Sequence, residues 1–274
     1  MTTDYKYKNL ILSGGGTKGI ACLGSLKYLE EINILKNIES FACTSVGSII
    51  AFLLIIGYKP EELFQFINIL NVNKLIKFNF EQFFDLFGTD DTKKIINIVI
   101  KLGDAKKISS SITFKELFEK TNKKLIITGV CINTKTIEYF DYINTPDMIV
   151  LDAIKISISI PFIFIPVSYN NKLYVDGGIM DNYPIHLFNK ELETTLGICL
   201  ANSRDHVEKC DDIFNYFMNV FSCVLEGISI MSFRNYEKNT ILLKLEGDLI
   251  MKNESKETMY KFGYSETQKF FASI

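Results

Sequence analysis

Asn9-Leu10-Ile11-Leu12-Ser13-Gly14-Gly15-Gly16-Thr17-Lys18-Gly19 is the stretch on which the reading of this chain turns. The apolar run ending at Ser13 is short and closed by glycines, which predicts a strand ending in a tight turn. From Lys18 onward the pattern becomes helical, with Ile20, Leu23, Leu26, Tyr28, Leu29 and Ile32 marking one apolar face. A second cycle of the same kind follows at once. Phe41-Ala42-Cys43-Thr44 reads as a strand, Ser45 and Gly47 sit at a turn, and Ile49 to Ile56 form a buried helix closed by Gly57. Two consecutive strand–turn–helix units predict an α/β fold.

Outward from this nucleus, residues 60–111 read as mostly helical, a cap or side layer that starts at Pro60-Glu61-Glu62 and crowds together Phe78, Phe80, Phe83, Phe84, Leu86 and Phe87. Strands are expected at Lys124–Ile132 and Thr136–Phe140, then a helix from Pro146 to Ser157. Leu173-Tyr174-Val175 is a short strand running into Asp176-Gly177-Gly178. A further buried strand is expected at Leu196–Ala201, a long helix from Ile213 to Arg234, and a last strand at Thr240–Leu245. Alternating, buried strands and helices predict a three-layer α/β domain. No repeat or linker divides the chain, so residues 1–274 are read as one domain.

Composition narrows the function classes. Hydrophobic residues at 47% and charged residues at 23% are those of a folded globular protein, which excludes a disordered or fibrous chain. A net charge of -2 without a basic stripe argues against nucleic acid as a partner. The longest apolar run, Ile49 to Ile56, falls far short of the ~20 residues that span a bilayer. The polar segment Met1–Asn9 carries no signal-peptide core, so the expectation is a cytoplasmic protein, or one peripheral on membranes. Cys22, Cys43, Cys131, Cys199, Cys210 and Cys223 include no C-x-x-C pair and read as buried thiols. No metal cluster and no cofactor is expected.

Three segments carry candidate chemistry. Gly14 to Gly19 fits G-x-G-x-x-G at a helix N-terminus, where free N–H groups favour an anion, either a pyrophosphate or an oxyanion. A dinucleotide site needs an acid at the end of the second strand, but Glu39 lies before it; the order G-x-x-x-x-G-K-[ST] is also absent. Cys43-Thr44-Ser45-Val46-Gly47 nearly matches the nucleophile elbow G-x-S-x-G, with Cys43 in place of the first glycine. Asp176-Gly177-Gly178 places a carboxylate at a strand end, followed by Asn182 and Pro184. The two histidines fit a triad poorly: His206 lies in a polar loop, and His186 follows Pro184 in a capping or packing position.

Taken in this order, the three segments resemble the patatin-like phospholipases, a family of lipid acyl hydrolases. The likeness extends through Ile20–Glu30, Ile154–Pro166 and Asn182-Tyr183-Pro184, covering residues from about 8 to 188 and the C-terminal part more loosely. The resemblance implies a three-layer α/β/α fold with a central, mostly parallel sheet. It also implies an oxyanion hole at Gly14, Gly15, Gly16, Lys18 and Gly19, and Ser45 as nucleophile. The resemblance further implies Asp176 as its direct base in a dyad without histidine, supported by Cys43, Gly47, Gly177 and Gly178. Such a mechanism needs no metal and no cofactor.

The implied partner is a lipid substrate, with transient membrane-surface contact through Lys74, Lys77, Lys93, Lys94, Lys106 and Lys107. Phe52 to Ile56 and the Phe78–Phe87 cluster either line an acyl channel or fill the core. Some relatives also imply an activating partner. Two other functions use the same segments differently. A nucleotide-binding module needs the glycine turn alone, and a catalytically impaired interaction protein, damaged at Cys43, lacks serine reactivity.

Overall fold

The computed structural model describes residues 6–71, 75, 85–202, 213–245 and 255–273. Its strands are β1 (Asn9–Leu12), β2 (Ser40–Cys43), β3 (Lys124–Cys131), β4 (Thr136–Phe140), β5 (Val167–Tyr169), β6 (Lys172–Asp176), β7 (Thr195–Asn202) and β8 (Thr240–Leu245). The described helices are α1 (Gly19–Glu31), α2 (Val46–Ile55), α3 (Pro60–Ile69), α4 (Lys93–Ala105), α5 (Phe114–Thr121), α6 (Val150–Ser157), α7 (Ile213–Phe233) and α8 (Lys256–Ala272).

The strands form one sheet in the order β5-β6-β3-β2-β1-β7-β8, with β4 paired to β3 off this path. From β3 through β2, β1 and β7 to β8 all neighbours are parallel. Only the pairs β3–β4, β3–β6 and β5–β6 are antiparallel. Successive side chains of a strand point to opposite faces, and both faces here are covered. Leu10 and Leu12 of β1, Phe41 and Cys43 of β2, and Ile198 and Leu200 of β7 join the larger core. Ile11, Ala42 and Cys199, each one residue out of step, join a second core with Tyr183, Ile185 and Phe188. Double-sided burial is why these strands read as continuous apolar runs rather than alternating ones, and the three-layer expectation holds.

Several boundaries differ from expectation. The helix expected from Pro146 starts at Val150, because Ile149 still bridges to Thr113 and the preceding turn is built on the Asp141 carboxylate, which accepts from Ile143 and Asn144 N–H. Helix α2 starts at Val46, directly after Ser45. Cys22, Cys43, Cys131 and Cys199 are buried thiols as read, but Cys223 is exposed on α7. Lys74, Lys77, Phe78, Phe80, Phe83, Phe84, His206 and Cys210 lie outside the described residues. No described helix is long and apolar enough to cross a membrane.

One detail of the sheet positions the site. Strand β2 ends with Cys43 opposite Ile127 of β3, and β4 takes the other edge of β3 from Ile127 to Cys131. The edge that β2 vacates is taken over by β6, which arrives antiparallel and ends with Asp176 opposite Gly129. The C-terminal ends of β2 and β6 therefore abut along one edge of one strand.

Candidate active site

Ser45 stands at the end of β2 with φ 52 and ψ -127, a left-handed backbone that a serine adopts only at a cost of about 1–3 kcal/mol. The turn is closed by Gly47 N–H donating to the Thr44 carbonyl at 2.9 Å and Ser48 N–H to the Ser45 carbonyl at 2.8 Å. Gly47 is required there by space. A Cβ at this position meets the carbonyl oxygens of Leu12 at 2.5 Å and Ser13 at 2.8 Å. Gly47→Ala is accordingly expected to lower stability by about 1–3 kcal/mol, the usual penalty of overpacking, measured as a fall in the urea midpoint. Cys43, in place of the elbow glycine, does not disturb this geometry. Its side chain joins the core and its thiol donates to the Ile126 carbonyl at 3.2 Å, while burial pushes the thiol pKa far above its ordinary value.

Asp176 is 4% exposed and Ser45 5%. One carboxylate oxygen of Asp176, Oδ1, accepts from Gly178 N–H at 2.7 Å. The other, Oδ2, is buried with no hydrogen-bond partner among the described residues. Burial pushes the Asp176 carboxyl up to about 7, against the opposing pull of the neighbouring Ser45 side chain and Gly178 N–H. A carboxylate of that kind is half ionised near neutrality, the condition that favours a general base.

The segment Ile154–Pro166 carried part of the family likeness, but sequence reasoning gave its serines no role. Ser45 N–H donates to Ser157 Oγ at 2.9 Å, and Asp176 N–H to the Ser159 carbonyl at 2.9 Å. In the sequence these two serines form only an Ile-Ser-Ile-Ser rhythm, which reads equally well as packing. Ser157→Ala strands a buried N–H; it is expected to cost about 1–3 kcal/mol in a denaturant titration, and any Ser45-dependent turnover should fall with it.

Across the site, the glycine turn faces Ser45. Gly14 N–H is engaged by the Asn182 carbonyl at 3.3 Å, whereas Gly15 and Gly16 N–H have no acceptor among the described residues. Lys18 lines the same cavity, but its Nζ donates to the Leu245 carbonyl at 3.3 Å. Gly19 opens α1 against Val46 of α2. Gly177 packs on Thr128, whose hydroxyl donates to Thr44 Oγ1 at 2.8 Å and so ties the two strand ends together. His186 takes no part: its ring nitrogens lie 3.6 Å from Asp181 and 3.4 Å from the Tyr139 hydroxyl.

Two cavities meet at Ser45. One is partly polar and bounded by the glycine turn, Asp176, Asn182 and one face of α7. The other is almost wholly apolar and runs between α1, α2, α3 and α4, bounded by Leu23, Ile49, Leu53, Phe66, Val99 and Leu102 among others. Leu53 lines this apolar cavity and, like Phe52, belongs to the larger core. A hydroxyl beside a buried carboxylate, facing two free N–H groups at the head of an apolar slot, suits nucleophilic attack on the carbonyl of a long-chain ester.

Residues 10–189 match the family described as patatin-like phospholipase. The chain belongs to that family. Among relatives of this patatin-like chain, the "Probable lipid hydrolase 463L" of Invertebrate iridescent virus 6 is 42% identical over 189 residues, an alignment covering 66% of this chain and 63% of the viral protein. Triacylglycerol lipase 4 of Saccharomyces cerevisiae is 30% identical over 172 residues, which is 57% of this chain but 18% of the yeast protein. The crystal structure of VipD from Legionella pneumophila superimposes with a TM-score of 0.66 at 18% identity, covering 98% of this chain and 67% of VipD, and so shares the patatin-like fold.

Proposed function

We propose that this patatin-like protein is a lipid acyl hydrolase of the phospholipase A or lysophospholipase type, acting through Ser45 and Asp176. The observation that carries the proposal is that the polar and the apolar cavity open on the same serine. An acyl chain in the apolar slot presents its ester carbonyl to Ser45 and leaves the rest of the lipid in the polar cavity.

The steps follow from the groups present. Ser45 Oγ attacks the carbonyl carbon and its proton passes to Asp176, whose free Oδ2 is the acceptor. Gly15 and Gly16 N–H hold the resulting oxyanion, each such donor contributing roughly 2.7–4 kcal/mol at the barrier. Collapse of the tetrahedral intermediate breaks the ester bond, and the leaving alcohol takes the proton from Asp176. Water then attacks the acyl-serine, gives its proton to Asp176, and the fatty acid departs as Ser45 recovers a proton.

Membrane contact is supported less by the lysines than by α7. Lys93 pairs with Asp91 and Lys106 with Glu62. Ile213, Tyr216, Val220, Val224 and Met231 recur every three or four residues, or a multiple of that, and are all exposed. A stripe of this size on a helix that also walls the polar cavity suits a lipid surface. ExoU of Pseudomonas aeruginosa has been solved in complex with SpcU, and an activating partner for this chain belongs to the same proposal.

The test is labelling with a fluorophosphonate probe together with fatty-acid release from mixed phospholipid vesicles. Labelling and release that both depend on Ser45 support the reading, and labelling without release points to a missing partner. A folded chain that neither labels nor releases acid refutes it.

A further inference from the structure

One face of α7 contributes Phe221, Ser222, Leu225, Glu226 and Ser229 to the polar cavity beside Ser45. Ser222, Glu226 and Ser229 are spaced four and three residues apart, which aligns them as a polar row along the helix. Glu226 is half-buried and has no hydrogen bond or ion pair with any described residue. Lys18, the one lysine that bounds the cavity among the described residues, is engaged with the Leu245 carbonyl. Glu226 is among the residues that bound the cavity. The same cavity is bounded by Phe221, whose ring makes an edge-to-face contact with Phe162, centroids 5.6 Å apart. A second carboxylate, Asp176, bounds the same space.

A carboxylate and an aromatic ring that bound one partly desolvated cavity suit an organic cation between them and disfavour an added negative charge. We infer that Glu226 and Phe221 make this cavity a receptor for an ammonium group, so that the protein favours lipids whose head group ends in choline or ethanolamine over lipids with a purely anionic head group. The inference rests on the acyl-hydrolase reading for its choice of substrate, but the cation site itself does not.

Two measurements on the full chain separate these. In the first, choline is titrated into Ser45→Ala protein by NMR, with and without Glu226→Gln. The expected result is saturable binding whose Kd rises about tenfold on loss of the carboxylate. In the second, kcat/KM is compared on phosphatidylcholine and phosphatidylglycerol vesicles with identical acyl chains. The wild type is expected to favour phosphatidylcholine, Glu226→Gln to lower that ratio about tenfold, and Glu226→Lys to invert it. Weakened choline binding with an unchanged lipid ratio assigns the site to a free cation rather than a head group. Choline binding that is absent, or unaffected by Glu226→Gln, overturns the inference. Intact choline binding without any hydrolysis counts against the acyl-hydrolase reading alone.

Discussion

Ser45→Ala is expected to lower ester hydrolysis by about 10⁴-fold or more and to abolish fluorophosphonate labelling, while the protein folds and melts as before. Cys43 offers no substitute nucleophile: its side chain lies in the core, with its thiol held to the Ile126 carbonyl. The backbone at this position makes a further, less usual result expected. At φ 52 and ψ -127 an alanine is strained as the serine is, but a glycine is not. Ser45→Gly, equally inactive, should therefore be more stable than Ser45→Ala by about 1 kcal/mol in denaturant titrations. Equal stabilities for the two variants would mean that the turn stores no strain.

Asp176→Asn is expected to be as damaging to turnover as the loss of Ser45, yet stabilising above neutrality. The Asp176 carboxyl is held up to about 7 by burial, against an ordinary value of 3.8. The folded state thus binds the proton more tightly than the unfolded chain does. The stability linked to that proton is complete below the ordinary carboxylate range and is lost as pH rises to about 7. Asparagine carries no charge at any pH and still accepts the Gly178 N–H. The variant's Tm advantage should open between about pH 4 and 7 and stay constant above that range. Wild-type turnover should follow the opposite limb, rising with pH through about 7 as the base ionises. A pH-independent difference in Tm, or activity that stays flat across that range, would show that Asp176 does not titrate there.

Much of this was legible in the residues because burial on both faces made the strands unmistakable. Leu10, Ile11 and Leu12 have nowhere polar to point. The strand β5, three residues at the sheet edge, left no such mark. Helix α5 did announce itself, through Thr113 and Glu116 three residues later, a reciprocal cap that the structure forms and the reading passed over. Helix α8 was hidden for a different reason: its fully buried positions are Met259, Gly263 and Thr267, two of them small, while its aromatics Tyr260, Phe262, Phe270 and Phe271 are only partly buried. Gly263 lies directly on the carbonyl of Ala21 in α1, a contact too close for any side chain. At the site, the motif glycines, Ser45 and Asp176 were visible as types in order. Ser157 and Ser159 were not, because they act through one hydroxyl and one carbonyl, and almost any sequence supplies a carbonyl.

The shared edge of β3 also bears on how such a chain tolerates change. Ser45 and Asp176 are separated by most of the described chain between β2 and β6, including α3, α4, α5 and a hairpin. Apart from β3 and the Ser157–Ser159 segment, none of that length sets their spacing. The ladder positions opposite Ile127 and Gly129 do, two residues apart on a central strand. Connections between these elements are therefore free to lengthen, shorten or acquire whole inserted modules without moving the hydroxyl from the carboxylate. A one-residue deletion within β3 is not: it shifts one pairing against the other and separates the two groups, however intact the loops remain.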